Sequence, residues 1–170
     1  MTGSTLKTVI GYWLNLLSKY MPFEVGKPSL AGIYNYLIIS DTIATSGQPT
    51  ANQFSLIQSA GYTTIINLAP DNADNAIKNE AEIVAHLHLN YIHIPVDFKK
   101  PTADDFAKFS KAMTDLNQQK IWVHCAANMR VSAFIYKYRR DVLNEDEALV
   151  KTDLDKIWQP YGVWKQFLFS

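Results

Sequence analysis

A cysteine and an arginine five positions apart are the side chains of this 170-residue chain best suited to covalent chemistry on an anion. Cys125 follows the apolar run 121–123, which predicts a short buried strand. Apolar residues recur at helical spacing from the residue after Arg130, at Val131, Phe134, Ile135 and Tyr138. The sequence therefore places Cys125 and Arg130 in a strand-to-helix turn.

Such a turn suits a nucleophilic thiolate beside a bound oxyanion. Backbone N–H groups at the start of a helix lack intrahelical acceptors and carry partial positive charge, so they bind anions and favour the thiolate form of a cysteine. Arg130 adds a planar guanidinium that fits two oxygens of a tetrahedral anion. A single cysteine at the end of an apolar strand is more often an inert buried residue, but the neighbours His124, Arg130 and Ser132 favour a functional role.

The arrangement of His124, Cys125, Arg130 and Ser132 resembles the active-site loop of cysteine-dependent phosphatases of the tyrosine and dual-specificity type. The resemblance implies that Cys125 is the nucleophile, that Arg130 binds the phosphoryl oxygens and that His124 positions the loop. Ser132 matches the hydroxyl residue that assists departure of the thiolate. The phosphate loop implied by the family consists of His124, Ala126, Ala127, Asn128, Met129, Val131 and Ser132.

This loop departs from the family pattern in its length. The family carries five residues between cysteine and arginine, whereas here only 126–129 intervene and Val131 stands six positions after the cysteine. When the loop is aligned on Ser132, Asn128 replaces a glycine of the family and Val131 replaces the arginine. When it is aligned on Arg130, one residue of the loop is missing. Because a shorter loop offers one backbone amide fewer, we expect weaker phosphate binding. Two hypotheses follow, a phosphatase that acts through cysteinyl phosphate and a catalytically impaired module that binds an oxyanion.

Sulfur transfer is a third hypothesis, because rhodanese-type sulfurtransferases resemble this chain in the length of the cysteine loop. The rest of the chain fits them less well. Ser46, Gly47 and Gln48, followed by a predicted helix and strand, resemble a bacterial, beta-lactamase-hydrolase-like branch of the phosphatase-like proteins over roughly 38–138. That resemblance implies that Asp97, in the loop after a strand, is the general acid. An exposed loop carboxylate or a turn cap is the alternative interpretation of Asp97.

Composition limits the classes of partner. The 16 basic and 16 acidic side chains give no net charge, so no overall field draws the chain to nucleic acid or an anionic membrane. A phosphorylated substrate or another oxyanion is the expected partner, and the sequence indicates no oligomeric state. One cysteine excludes an intrachain disulfide and a multi-cysteine metal site, and is compatible with the cytoplasm. We expect no metal or other cofactor, since His86 and His88 point to different faces of a predicted helix.

The N-terminal segment 1–32 is predicted to be an amphipathic helix and a linker, ahead of a single globular domain at 33–170. The apolar positions of this helix share one face and are Leu6, Val9, Ile10, Trp13, Leu14, Leu17 and Tyr20. We expect the helix to dock on the domain. A removed signal peptide, which would make the protein secreted or periplasmic, is the alternative. The polar face is not basic, so a membrane-surface anchor is not expected.

Strands and helices alternate along the rest of the chain. Strands are predicted at 36–39, 43–45, 63–68, 91–96 and 121–123, with helices after Thr50, from Glu80 and after Thr102. This order predicts a three-layer α/β/α domain with a mainly parallel central sheet, similar to dual-specificity phosphatases. Loops after the carboxyl ends of parallel strands share one edge of the sheet, so loop 125–130 is expected there.

Overall fold

The computed structural model describes residues 3–18 and 29–169. The helices are α1 (Gly3–Ser18), α2 (Ala51–Ser59), α3 (Glu80–His86), α4 (Ala103–Asp115), α5 (Met129–Asp141), α6 (Glu147–Ile157) and α7 (Val163–Phe169), with a 3₁₀ turn at Leu30–Gly32. The strands are β1 (Leu37–Ile38), β2 (Ile43–Ser46), β3 (Thr64–Asn67), β4 (Asn90–His93) and β5 (Ile121–His124). The strands and helices predicted from residue 33 onward are all present, with boundaries shifted by a few residues.

The five strands form one sheet in the order β1-β2-β5-β3-β4. β1 pairs with β2 antiparallel, and the other pairs are parallel. The predicted mainly parallel sheet is therefore confirmed. Ser46, Asn67 and His124 pair in register at the carboxyl ends of β2, β3 and β5. Because β5 is the central strand, Cys125 emerges from the middle of this edge.

Helices cover both faces of the sheet, which gives the predicted three layers. Side chains of neighbouring strand residues point to opposite faces. Ile65 and Trp122 therefore pack against α2 and α3, whereas Ile66 and Val123 pack in a second cluster with α4 to α7. Every residue of β5 is buried, as expected for a central strand covered on both sides. This burial fixes the start of the cysteine loop.

Helix α1 docks on the domain, but through a different face from the one that its apolar pattern suggests. Thr5 and Thr8 are buried and bond to the backbone at the end of α6, whereas Leu6 is 47% exposed and Trp13 is 57% exposed. Residues 19–28 lie outside the described residues, and they include Tyr20 and most of the predicted linker. Among the helices of the described ranges, none combines the length and apolarity needed to cross a bilayer.

Candidate active site at the cysteine loop

The loop 125–128 is held from outside by hydrogen bonds to its carbonyl groups. The Ala126 carbonyl accepts from the Gln48 N–H at 3.3 Å and from Asn75 Nδ2 at 2.8 Å. The Ala127 carbonyl accepts from Asn35 Nδ2 at 3.0 Å. In a trans peptide the N–H points opposite to the C=O, and the structure has no cis peptide in the described ranges. The Ala127 N–H therefore points away from Gln48 and Asn75.

Gly47 allows this close approach between β2 and the cysteine loop. A Cβ at Gly47 would lie 3.1 Å from the Ala126 carbonyl oxygen and 2.8 Å from the Tyr34 ring. Both distances are shorter than ordinary carbon contacts, so a side chain at this position would push the loop away. The motif of Ser46, Gly47 and Gln48 thus has a structural role, since Ser46 and Gln48 form backbone hydrogen bonds with the loop and Gly47 leaves room for them.

Asn128 ends the loop in a left-handed conformation, with φ of 65°, directly before α5. Glycine normally takes such angles, and asparagine is among the residues that adopt them at the lowest cost. The side-chain amide of Asn128 donates to the Asn35 carbonyl at 2.7 Å and to Thr45 Oγ1 at 2.9 Å. Asn128 therefore adopts the left-handed turn and adds two hydrogen bonds that hold it in place.

Arg130 and Cys125 line the same pocket, which has a volume of about 210 Å³. Cys125 is 1% exposed and Arg130 is 9% exposed. The guanidinium lies over the Phe98 ring at 5.4 Å, and within the described ranges Nε of Arg130 has no hydrogen-bond partner. A buried N–H group without an acceptor is unusual. The lining residues of this pocket, called the Cys125 pocket below, are Val9, Tyr12, Phe98, Cys125, Ala126, Ala127, Met129 and Arg130.

Asp97 does not line the Cys125 pocket, although its neighbour Phe98 does. The Asp97 carboxylate is exposed and accepts from the Lys99 N–H at 2.9 Å, which is the geometry of a turn cap. The position of Phe98 is fixed by the Trp164 indole, which donates to the Phe98 carbonyl at 2.8 Å. The structure thus places Asp97 at the rim of the site, in the turn-cap geometry that was the alternative interpretation.

Four residues of the predicted phosphate loop do not line the Cys125 pocket. His124 and Asn128 are fully buried beside it, and Val131 and Ser132 lie in the first turn of α5. Val131 is fully buried in the hydrophobic core. Ser132 is 5% exposed, and its hydroxyl donates to the Met129 carbonyl at 3.1 Å and accepts from the Trp158 indole at 3.2 Å. Both residues belong to the first turn of α5, so only the backbone N–H of Val131 is available to an anion.

A buried histidine–glutamate pair lies directly behind the nucleophile, and sequence reasoning did not identify the glutamate. His124 is fully buried, with Nε2 3.0 Å from Oε1 of Glu80 in the geometry of an ion pair rather than an aligned hydrogen bond. Glu80 also accepts from Gln48, Asn67 and Tyr91 at 2.5, 2.9 and 3.0 Å. This network connects the motif before α2 with the residue that precedes Cys125.

The environment of Glu80 favours its charged form. Burial raises the pKa of this carboxyl, but the close contact with His124 and the hydrogen bonds from Gln48 and Tyr91 outweigh burial and hold the pKa below the ordinary value of 4.5. The charged carboxylate in turn raises the pKa of Tyr91, after the larger effect of burial. Glu80 is therefore a carboxylate that binds His124 at neutral pH.

Within the described ranges, no three His, Cys, Asp or Glu side chains converge in a way that would hold a metal ion. His86 lies on α3, and its ring contacts the Glu82 carbonyl one turn earlier. His88 follows the helix with φ of 55°. His93 bonds the Ala69 carbonyl at 2.7 Å through its ring. Each of these histidines is thus separate from the others.

Comparison with known proteins links this geometry to a family. Residues 40–160 match the family model described as a DSP-PTPase phosphatase fused to NAD⁺ kinase. A DUF442 protein of Shewanella putrefaciens CN-32 is 34% identical, with a TM-score of 0.73 over 82% of this chain and 91% of that chain. Phosphotyrosine-bound TpbA of P. aeruginosa shares the fold at 14% identity, with a TM-score of 0.60 over 79% of each chain.

A curated relative supports the bacterial branch of the resemblance. The beta-lactamase hydrolase-like protein of Xylella fastidiosa strain Temecula1 is 34% identical over 95 residues, or 54% of this chain. The chain spans only 22% of the length of that relative. The predicted resemblance to phosphatase-like proteins and the predicted fold are both confirmed by these matches.

The left-handed turn at Asn128 can be tested with a pair of substitutions. Asn128→Gly and Asn128→Ala both remove the two side-chain hydrogen bonds, but only alanine is strained at φ of 65°. We expect the alanine variant to be less stable than the glycine variant by about 1 kcal/mol. Urea unfolding measures the difference, with Ala127→Gly as the matched control for added flexibility. Equal stability of the two variants would contradict the strain argument.

The His124–Glu80 pair predicts how the free energy of unfolding depends on pH. Since the folded pKa of Glu80 lies below 4.5, its stabilising effect is complete above that pH and is lost as the pH falls through the folded pKa. Glu80→Gln should therefore be less stable than the parent at neutral pH, and the difference should shrink in acid. Urea midpoints across this range test the prediction, with the exposed Glu82→Gln as control. A difference that does not change with pH would contradict it.

Proposed function

Because the chain belongs to this DSP-PTPase phosphatase family, we propose that it hydrolyses phosphate monoesters through a cysteinyl-phosphate intermediate. The observation that carries the proposal is the buried guanidinium of Arg130, which shares a pocket with Cys125 and has an Nε without a partner in the described ranges. A dianionic phosphate would supply that acceptor. The same pocket holds the start of α5, whose first N–H groups favour an anion.

The first step of the proposed reaction is attack of the Cys125 thiolate on phosphorus. The S–P bond forms while the ester P–O bond breaks, and the leaving oxygen takes a proton from the proposed acid, Asp97. Arg130 and the N–H groups of the loop bind the non-bridging oxygens as their charge is redistributed. Arg130 is held for this role by the Phe98 ring beneath its guanidinium.

The second step is hydrolysis of the cysteinyl phosphate. The Asp97 carboxylate takes a proton from the attacking water, the S–P bond breaks and inorganic phosphate leaves with the thiolate restored. Ser132 is the proposed hydrogen-bond donor to the departing thiolate, a role that requires its hydroxyl to turn away from the Met129 carbonyl. Asp97 caps the Lys99 N–H at the rim of the pocket, so the reaction requires that this loop bring the carboxylate over the bound phosphate.

A phosphorylated ligand is the proposed substrate class. TpbA, which shares the fold, binds phosphotyrosine. In this chain the Cys125 pocket combines one buried cation with apolar walls from Val9, Phe98 and Met129. An aryl phosphate matches that combination, because its phosphate would meet Arg130 and its ring would meet the apolar walls. An aryl phosphate such as p-nitrophenyl phosphate is the first substrate to assay.

Two substitutions test the mechanism. Cys125→Ser should abolish hydrolysis of p-nitrophenyl phosphate, because the nucleophile is lost. Asp97→Asn should lower kcat by about a hundredfold or more, as loss of a general acid typically does. Steady-state kinetics is the measurement. The matched control is Asp104→Asn, since Asp104 is an exposed carboxylate paired with Lys108 at the start of α4.

The outcomes separate the hypotheses. Turnover that survives Cys125→Ser would refute the cysteinyl-phosphate mechanism. Full activity of Asp97→Asn would show that the acid is a different group. Tight binding of vanadate by a parent protein that hydrolyses no phosphate ester would identify an oxyanion-binding module, and conversion of thiosulfate to a Cys125 persulfide would identify a sulfurtransferase.

A further inference from the structure

Helix α1 supplies one side of the Cys125 pocket, although its sequence lies far from the cysteine loop. Val9 and Tyr12 of α1 line the pocket together with Phe98 and Met129. We propose that α1 is a permanent wall of the site and that Val9 and Tyr12 set the largest group able to reach Cys125. The proposal concerns access to the thiol, and its application to substrates rests on the proposed phosphatase function.

The wall is anchored by contacts outside the pocket. Thr5 Oγ1 accepts from the Gln159 N–H at 2.9 Å, and Thr8 Oγ1 donates to the Ile157 carbonyl at the end of α6. The Tyr34 hydroxyl donates to the Thr8 carbonyl, which adds a third attachment near the middle of α1. These bonds involve the buried face of the helix. They hold Val9 and Tyr12 in place without any contribution from a ligand.

Gly11 lets α1 pack closely against Tyr34, which lies next to the cysteine loop. A Cβ at Gly11 would be 2.9 Å from the Tyr34 ring, a distance that ordinary side chains do not reach. Tyr34 in turn lies against Gly47, which touches the cysteine loop. Helix α1, Tyr34 and the loop therefore form one packed unit. Movement of α1 would disturb the same contacts that position the nucleophile.

Tyr12 lines the Cys125 pocket, and its raised pKa means that the phenol is uncharged at neutral pH. Its hydroxyl donates to Asp74 Oδ2 at 3.4 Å. Burial raises the pKa of Tyr12, and Asp74 and Cys125 raise it further, while Arg130 lowers it. Tyr12 shares the pocket with both Cys125 and Arg130. At neutral pH the ring is thus a neutral and bulky boundary rather than a second charge.

This wall favours ligands that are narrow next to the reacting atom. Val9, Tyr12, Phe98 and Met129 surround the approach to Cys125, and close-packed side chains resist added volume. Groups branched beside the phosphate would meet Tyr12 before phosphorus reached the thiolate. Phosphate monoesters with a slim aromatic or unbranched leaving group are therefore the substrates that the wall admits.

Alkylation of the 170-residue chain tests the wall independently of turnover. Cys125 is the single cysteine of the chain, so intact-mass measurement reports this site alone. The rate constants for iodoacetamide and for an iodoacetamide carrying a naphthalene group give a small-to-bulky ratio. Since both reagents need the same thiolate, the ratio reports size selection and not thiol ionisation. The variants are Val9→Ala and Tyr12→Ala.

We expect Tyr12→Ala to lower the small-to-bulky ratio by about tenfold, the size expected when a typical packing clash is relieved. Val9→Ala should change the ratio in the same direction but less. Leu14→Ala is the matched control, because Leu14 is a residue of α1 that is 60% exposed outside the pocket. An unchanged ratio in Tyr12→Ala, or an equal change in Leu14→Ala, would overturn the proposal.

A kinetic comparison extends the test to substrates. The ratio of kcat/KM for phenyl phosphate to that for a branched aryl phosphate should fall in Tyr12→Ala in parallel with the alkylation ratio. Hydrolysis with unchanged size selection would overturn the wall and leave the phosphatase proposal standing. Absence of hydrolysis in parent and variants, together with the expected alkylation ratios, would refute the phosphatase proposal and support the wall.

Discussion

The shape of the cysteine loop depends on the hydrogen bonds that hold its two alanine carbonyls pointing outward. A loop between a buried strand and a buried helix has to satisfy its polar backbone atoms. Here Asn35, Asn75 and the Gln48 backbone donate to the Ala126 and Ala127 carbonyls from outside the loop. The opposite side of the loop is thereby left to the Ala127 N–H and the start of α5. The proposed anion binding would be a consequence of this restraint.

Gln48 connects the cysteine loop with His124, the residue before the nucleophile. Gln48 bonds the loop through its backbone and bonds Glu80 through its side chain, and Glu80 pairs with His124. A shift of the Gln48 backbone and side chain together would therefore disturb both the loop and the buried Glu80 carboxylate. This coupling explains why three consecutive residues at the end of β2 matter for a site that lies mostly on β5 and α5.

Local patterns predicted much of this arrangement, whereas long-range contacts could not be predicted. The buried strand before Cys125 and the helix after Thr102 follow from patterns within one element, and the structure confirms them. Glu80 showed no signal, because an acidic residue in the first turn of a helix is normally a solvated charge. The docking face of α1 was also not predicted, since its apolar pattern favoured a face different from the threonine face that docks.

The central claim is that Cys125 carries a phosphoryl group during turnover. Rapid acid quench during hydrolysis of p-nitrophenyl phosphate, followed by peptide mass mapping, tests this claim most directly. The account predicts a phosphorylated peptide that contains Cys125 and is formed together with a burst of p-nitrophenol. Continued turnover without a burst, or with the phosphate on a peptide that lacks Cys125, would contradict it.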